Sequence, residues 1–320
     1  MSVDATMPRM RAVTPPVQGH VGHDGLTRQR FSIRRPDGAM LRGLHLTSDR
    51  PTQGDVVLTS GFGKSLRHNG FMAAHLARTG LAVWRPDFVD HPGVSDGDMA
   101  NATLDSARID IQSLSDDILP QSKARPLILV SSSLSARAAI RAAMVSDRYD
   151  MVLLIMPVVD LGSTIAAVTG SDLVGLAQQG RLSKADDIEV LGHVMKASFV
   201  HDAIENGYET RHSSRDELSR VSCPISVIAV ENDDWVDLDD LRFAMDDTKP
   251  NRRLHVIAAT DHHAYSFEFM RMVGNILTDE IETALPLGLD RARDLTFGDH
   301  RLIVASDRDA LTSEEASPHD

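Results

Sequence analysis

Short apolar runs alternate with helical patterns along most of this 320-residue chain, and this alternation constrains its fold more than any other feature. The runs are DVVLTS (55–60), LAVWRPD (81–87), PLILVSS (126–132), MVLLIM (151–156), PISVIAV (224–230) and RLHVIAA (253–259). Several are apolar without polar alternation, as strands buried on both faces are. Between them lie helical patterns such as FMAAHLARTG and SARIDIQSLSDDIL. This order predicts an α/β fold with a mostly parallel sheet that is covered by helices on both faces.

Two further segments complete the predicted architecture. RFSIRR (30–35) and MLRGLHLT (40–47), joined by the turn signal Pro36-Asp37-Gly38, predict an antiparallel hairpin at the first edge of the sheet. Residues 159–222 contain helical stretches but no convincing central strand. An insertion of ~60 residues between two strands is more typical of a helical cap than of a structureless loop. A cap in this place would cover the active site and control substrate access.

These patterns divide the chain into four parts. Residues 29–158 and 223–285 form the predicted core, and residues 159–222 form the helical cap insertion. Residues 1–28 are rich in Pro, Gly, His and Met without periodicity, which predicts a poorly ordered extension. Residues 286–320 form a C-terminal extension that ends in a solvated tail, SEEASPHD.

Composition and charge exclude several classes of protein. The net charge of −13 argues against nucleic-acid binding, because neutralising phosphates needs clustered Lys and Arg. An acidic protein partner would need a local basic patch to offset the overall repulsion. No apolar run approaches the ~18 residues that a membrane helix needs. The N-terminal stretch lacks the apolar core of a secretory signal, and the single cysteine, Cys223, excludes an intrachain disulfide, so we expect a cytoplasmic protein.

The serine-rich stretch after PLILV is a candidate nucleophile turn. Ser131-Ser132-Ser133-Leu134-Ser135 follows a predicted strand and precedes the helical pattern SARAAIRAAM. A nucleophilic serine on such a strand-to-helix turn needs small residues two positions before and after it, usually glycines. Ser131 and Ser135 meet that requirement around Ser133. Taken alone, the stretch is equally compatible with a polar turn whose hydroxyls cap the following helix.

Two later strand ends supply partners for Ser133 in the order Ser, Asp, His, which catalytic triads on this kind of sheet follow. PISVIAV is followed by Glu231-Asn232-Asp233-Asp234, and RLHVIAA by Thr260-Asp261-His262-His263. His262 would take the proton of the serine, and Asp233 would orient the imidazole. Asp234 and His263 remain alternatives. Acidic turns and surface histidines are also common, so each residue alone fits a solvated position.

The stretch Ser60-Gly61-Phe62-Gly63 is a candidate for the loop that stabilises a tetrahedral intermediate. An oxyanion hole on this kind of sheet uses the N–H of the residue after the nucleophile and an N–H from the loop after an earlier strand. These would be the amides of Leu134 and Phe62. The same glycines also fit a plain strand-to-helix loop.

Three stretches resemble the acyltransferases (thioesterases) of the bacterial bioluminescence lux operon: SGFGKSLRHNGFMAAHLARTGLAVWRPDFVDHPGVSDGD, SSSLSARAA and ENDDWVD. The resemblance runs from about residue 30 to at least residue 285 and implies an α/β-hydrolase fold. Members of that family release long-chain acyl groups from acyl carrier protein through an acyl-serine intermediate. By motif match, the resemblance implies Ser133, Asp233 and His262 as the triad. Near the histidine the family pattern is Ser-Ser-His-Asp, whereas this chain has Thr260-Asp261-His262-His263.

The leading prediction is therefore an enzyme of acyl transfer. A fatty or polyketide-type acyl group would pass from an acyl carrier protein or CoA thioester to Ser133, and then to water or to an acceptor such as an acyl-accepting enzyme. The alternatives are a carboxylesterase or lipase-like hydrolase that acts on oxygen esters, and a non-catalytic α/β-hydrolase-fold binding protein. No cofactor, metal, nucleic acid or membrane span is predicted.

Overall fold

A sheet covered by helices forms the centre of the protein, seen in a computed structural model that describes residues 19–122, 124–246, 248–258, 266–291 and 295–312. The strands are β1 (His20–Val21), β2 (Thr27–Arg34), β3 (Met40–Thr47), β4 (Gly54–Leu58), β5 (Leu81–Asp87), β6 (Leu127–Ser132), β7 (Met151–Ile155), β8 (Asp187–Val190), β9 (His193–Lys196), β10 (Ile225–Val230) and β11 (Arg252–Ile257). The helices are α1 (Gly70–Arg78), α2 (Leu104–Ile118), α3 (Ser135–Met144), α4 (Leu161–Thr169), α5 (Leu173–Gln178), α6 (Ser198–Glu205), α7 (Arg211–Arg220), α8 (Leu238–Met245), α9 (Phe267–Ala284) and α10 (Phe297–Thr312). Of these described helices, none is long and apolar enough to cross a membrane.

The central sheet is mostly parallel, which confirms the predicted fold class. Its strand order is β1-β2-β3-β5-β4-β6-β7-β10-β11. From β5 to β11 all neighbours are parallel, whereas β1, β2 and β3 pair antiparallel and form the predicted first edge. β4, β7 and β10 are buried along their whole length, as their mainly apolar sequences favour.

Apolar clusters lie on both faces of the sheet because successive side chains of a strand point to opposite sides. Val56 on β4 belongs to the cluster that contains residues of α1 and α9. Its neighbour Val57 belongs to the cluster with residues of α2, α3 and α8. Both valines are fully buried. Because these strands are parallel, their carboxyl ends lie at the same edge of the sheet. The candidate site residues come directly after those strand ends.

The inserted segment, residues 159–222, holds four helices and one element that the sequence did not predict. Between β7 and β10 come α4, α5, α6 and α7, together with the antiparallel hairpin β8–β9. Among the helical stretches predicted within residues 159–222 is VLGHVMKASFVHDAIENG (190–207), but its first part forms the end of β8, a turn and β9. The two turn residues, Leu191 and Gly192, both have positive φ, 54° and 79°. This is the backbone of a tight two-residue hairpin turn.

The two ends of the described chain are joined by buried ion pairs. Asp307 on α10 accepts from Arg28 Nε at 2.6 Å and from Arg85 Nη1 at 2.9 Å. All three side chains are almost fully buried. Residues 19–28 therefore differ from the predicted poorly ordered extension, because they contain β1, the start of β2 and the buried side chains of Leu26 and Arg28. Residues 1–18 and the tail 313–320 lie outside the described residues.

The single cysteine has the character of a packing residue. Cys223 is half-buried and packs against the apolar cluster of α2 and α3. Burial raises the pKa of its thiol to about 11, so the reactive thiolate is scarce at neutral pH.

Candidate active site

Ser133 lies on a strained turn between β6 and α3. Its φ is 53°, in the left-handed region that residues with a Cβ normally avoid. Two flanking contacts hold this backbone: the Ser133 N–H donates to the Ile155 carbonyl at 2.9 Å, and the Ser133 carbonyl accepts from the Val158 N–H at 3.2 Å. A left-handed residue costs of order 1–3 kcal/mol and persists only where its surroundings enforce it. The geometry is that of a nucleophile turn at a strand's carboxyl end.

The two flanking serines are small and buried. Ser131 has no exposed surface, and its Oγ accepts a hydrogen bond from the Thr59 hydroxyl at 2.6 Å. Ser135 is 2% exposed and is the first residue of α3. The residue that caps α3 is Leu134, and it makes no side-chain capping bond. The N-cap position of α3 is therefore occupied by Leu134 and not by one of the serines.

The glycine-rich loop after β4 passes beside Ser133. A Cβ built on Gly61 would lie 3.8 Å from Cβ of Ser133, so the two backbones are close neighbours. Phe62 and Leu134, the predicted oxyanion residues, are both buried. Over the ranges that the structure describes, neither of their backbone N–H groups donates a hydrogen bond. A buried N–H without an acceptor is rare, and two of them beside a serine suit a transient oxyanion.

Asp233 follows β10 in a loop that its own carboxylate organises. Oδ1 of Asp233 accepts from the N–H groups of Trp235 at 2.9 Å and Val236 at 3.0 Å. Asp233 is half-buried, whereas Asp234 is exposed. A cavity of about 250 Å³ opens beside this loop, between Asp233, Trp235 and the residues Val159 and Thr164. The restrained and less exposed Asp233 is the better candidate for an orienting carboxylate.

The predicted base, His262, and its alternative His263 lie outside the described residues. β11, the strand that precedes them, ends at Ile257 and pairs with β10. The Glu231 N–H donates to the Ile257 carbonyl at 2.9 Å, so the carboxyl end of β11 adjoins the Asp233 loop. The structure thus brings Ser133, Phe62 and Leu134 together, and it places Asp233 at the end of a strand two positions along the same sheet edge.

Two histidines that we did not predict pack around the Phe62 loop. His91 is buried edge-on against the Phe62 ring, with ring centroids 5.2 Å apart, and burial lowers the pKa of its imidazole to about 4. His193, on β9 of the inserted segment, packs against Gly63: a Cβ built there would come within 2.4 Å of its Nε2. The motif VDHPG contains His91, but a single histidine after a strand gave no functional signal. His193 was not predicted because its contact with Gly63 joins residues 130 positions apart, which local sequence patterns do not show.

An apolar cluster connects the predicted oxyanion residues to the inserted segment. Phe62 and Leu134 belong to one buried cluster with residues of α4, α6 and the β8–β9 hairpin, among them Ile165, Met195 and Phe199. The Phe62 and Phe199 rings lie 5.2 Å apart. The inserted segment therefore covers the Ser133 turn with apolar side chains. No group of three His, Cys, Asp or Glu residues that could hold a metal ion occurs in the part of the chain described.

Sequence comparison identifies relatives of this chain among bacterial acyl transferases. The profile of a family described as acyl transferase matches residues 47–265. An acyl transferase of Vibrio harveyi is 28% identical over 184 residues, covering 57% of this chain and 58% of that protein. One of Photobacterium leiognathi is 24% identical over 209 residues, covering 65% of each. The match thus spans about three fifths of the length of such relatives.

Structural comparison shows the fold class directly. Est1E of Butyrivibrio proteoclasticus, solved with ferulic acid, superposes with a TM-score of 0.63 at 17% identity, covering 78% of this chain and 99% of its own. An esterase of Pyrococcus furiosus superposes with a TM-score of 0.57 at 19% identity, covering 83% and 99%. At such identities the likeness concerns the fold alone. The chain has the α/β-hydrolase fold, and by its match over residues 47–265 it belongs to the lux-type acyl transferase family.

Proposed function

We propose that this protein is a serine-dependent acyltransferase or thioesterase that takes a fatty or polyketide-type acyl group from a carrier-protein or CoA thioester. The observation that carries the proposal is the left-handed Ser133 on the β6–α3 turn, beside the buried N–H groups of Phe62 and Leu134. Membership of the acyl transferase family supports acyl transfer as the reaction class. We also propose that the protein acts in the cytoplasm.

In the first half-reaction, Oγ of Ser133 attacks the thioester carbonyl carbon while His262 takes the hydroxyl proton. The carbonyl oxygen becomes an oxyanion that accepts hydrogen bonds from the N–H groups of Phe62 and Leu134. Asp233 stabilises the imidazolium. When the tetrahedral intermediate collapses, the C–S bond breaks and His262 returns the proton to the departing thiolate. Acyl-Ser133 and a free thiol result.

In the second half-reaction, water or another hydroxyl or thiol acceptor attacks the acyl-serine ester. His262 takes the acceptor's proton and then returns it to Oγ of Ser133 as the C–O bond breaks. The acyl chain would lie along the apolar cluster that Phe62 and Leu134 share with the inserted segment. The depth of that apolar surface would select the acyl group, since each buried methylene contributes about 0.8 kcal/mol.

The test is the mass of a trapped acyl-enzyme. The protein is mixed with acyl thioesters of acyl carrier protein, quenched in acid and measured as an intact chain. We expect a mass increase equal to one acyl group, located on the peptide that contains Ser133. The Ser133→Ala variant should give no adduct, whereas Ser131→Ala, altered two residues away, should still give one. An adduct that survives in Ser133→Ala would refute the assignment of the nucleophile.

Two further measurements separate the alternative functions. Comparing kcat/KM for a matched ester and thioester distinguishes a carboxylesterase, because both substrates give the same acyl-enzyme and differ only in the leaving group. Labelling with a fluorophosphonate probe distinguishes a non-catalytic binding protein. A folded wild-type chain that remains unlabelled at Ser133 would favour the non-catalytic function.

A further inference from the structure

A small basic surface adjoins the proposed catalytic serine in a protein with a net charge of −13. Lys64, Arg67 and His68 are all exposed, and they directly follow the Phe62–Gly63 loop. We call these three residues the basic turn. We infer that the basic turn is the docking surface for an acidic protein domain that delivers the acyl thioester. This inference rests on the proposed function and assigns the surface where the donor would bind.

The cations of the basic turn form no close ion pair with described carboxylates, unlike most guanidinium groups of this protein. Arg28, Arg85 and Arg137, for example, each form close ion pairs with buried acids. Among the residues described, neither Lys64 nor Arg67 forms an ion pair. Exposed cations that only increase solubility can lie anywhere on the surface. Cations without ion-pair partners that are grouped beside the Ser133 turn create a local positive potential there.

Hydrogen bonds and a buried leucine anchor the backbone beneath the basic turn. Leu66 has no exposed surface, and its N–H donates to Oδ1 of the buried Asp87 at 2.5 Å. The Asn69 side-chain amide donates to the Leu58 carbonyl at 3.4 Å. Asp87 also accepts from the Val94 N–H at 2.9 Å, so its carboxylate is engaged by backbone N–H groups below the surface. Arg67 acts on it through space without forming an ion pair. A preorganised charged surface loses less entropy when a partner binds.

The basic turn is also close to the reacting centre. The Lys64 N–H donates to the Gly61 carbonyl at 3.1 Å, which closes a turn. In such a turn the two Cα atoms are less than about 7 Å apart. A Cβ built on Gly61 would lie 3.8 Å from Cβ of Ser133. A domain bound on the basic turn would therefore deliver a thioester at the end of a flexible arm directly to the serine.

Charge complementarity favours an acidic protein over other anionic partners. Two strongly acidic proteins repel each other at long range, and complementary local charges then determine the orientation and the rate of association. An anionic membrane surface is recognised by clusters of about 4–8 Lys or Arg, which is more than the basic turn contains. The remaining small competitor is the phosphate of CoA, which the experiment below separates from the carrier protein.

The experiment reverses the charge of two residues and compares three donors with the same acyl chain. The variant is Lys64→Glu/Arg67→Glu, and the donors are the acyl thioesters of acyl carrier protein, of CoA and of phosphate-free pantetheine. The matched control is Arg220→Glu/Lys249→Glu, which reverses one Arg and one Lys where the chain enters β10 and β11 at the opposite edge of the sheet. Thermal unfolding checks that each variant is folded.

We expect the ratio of kcat/KM for the carrier-linked donor to that for the pantetheine donor to fall about tenfold or more in Lys64→Glu/Arg67→Glu, through a higher KM. This loss should shrink as salt is added, because salt screens exposed charges. The control should leave the ratio within about twofold. An unchanged ratio in the basic-turn variant, with all donors still consumed, would refute the docking surface alone. An equal loss with the CoA donor would also overturn it, since the turn would then recognise phosphate. A wild-type protein that consumes none of the donors would refute the proposed function instead.

Discussion

The left-handed backbone at Ser133 makes a sharp prediction about glycine, which can adopt positive φ without strain. We compare glycine with alanine rather than with serine, because both lack the hydroxyl and its contacts. At position 133 a Cβ costs roughly 1–2 kcal/mol in the left-handed region. Glycine recovers this cost, but its greater freedom in the unfolded chain costs roughly 0.5–1 kcal/mol. Ser133→Gly should therefore be more stable than Ser133→Ala by about 0.75 kcal/mol, the difference between these two central values.

Position 135 gives the matched control. Ser135 is equally buried but begins the helix α3, where glycine is less favourable than alanine by roughly 0.5–1 kcal/mol. The sign of the alanine-to-glycine change should therefore be opposite at two positions that are only two residues apart. Together the two comparisons should differ by about 1.5 kcal/mol, the sum of the two central values.

The assay is equilibrium unfolding of the four variants in guanidinium chloride, with the free energy taken from midpoint and slope. All four should give similar slopes, because the surface exposed on unfolding is nearly the same. If glycine lowers the stability at 133 by as much as it does at 135, then residue 133 does not have the left-handed backbone. The nucleophile turn would then be refuted, whatever the activity of the variants.

Three further predictions concern two buried histidines, a buried ion pair and the contact of His193 with Gly63. Burial holds the imidazoles of His45 and His91 at a pKa of about 4, below the usual 6.5, so the folded state disfavours protonation. The contribution of each neutral histidine to stability is complete above pH 6.5 and is lost as the pH falls towards 4, by up to about 3 kcal/mol for each histidine. Denaturant titrations from pH 7 to 4.5 should show that the free energy of unfolding declines less steeply in His91→Gln than in the wild type. Asp307→Asn removes the anion paired with the buried Arg85 and one of the two anions paired with Arg28, which keeps Asp24. It should lower the unfolding free energy by about 3–5 kcal/mol, measured by denaturant unfolding at pH 7. Gly63→Ala places a Cβ against His193 and should reduce kcat/KM on acyl thioesters; adding His193→Ala should restore part of it, and no recovery would contradict the contact.

The fold could be predicted from the sequence because a parallel sheet leaves a local signature. A strand buried on both faces has few polar residues, as β7 does. β3 and β5 begin and end at the residues that their patterns predict, 40–47 and 81–87. The position of Ser133 was also readable, since a strained strand-to-helix turn requires small neighbours at 131 and 135. Asp233 and His262 were predicted by their order after later strands. The catalytic roles of both residues stay predictions, and His262 lies outside the described residues.

Tertiary contacts decided the rest, because they join residues that are distant in the chain. The hairpin β8–β9 was missed since its apolar residues also fit a helical pattern, and only packing against the Phe62 cluster favours strands. The order of residues 19–28 depends on an ion pair of Arg28 with Asp307, 279 positions later. The hydroxyl of Ser131 bonds to that of Thr59, the residue after the neighbouring strand β4. Local spacing determined which residues reach the sheet edge, and long-range packing determined which of them face one another there.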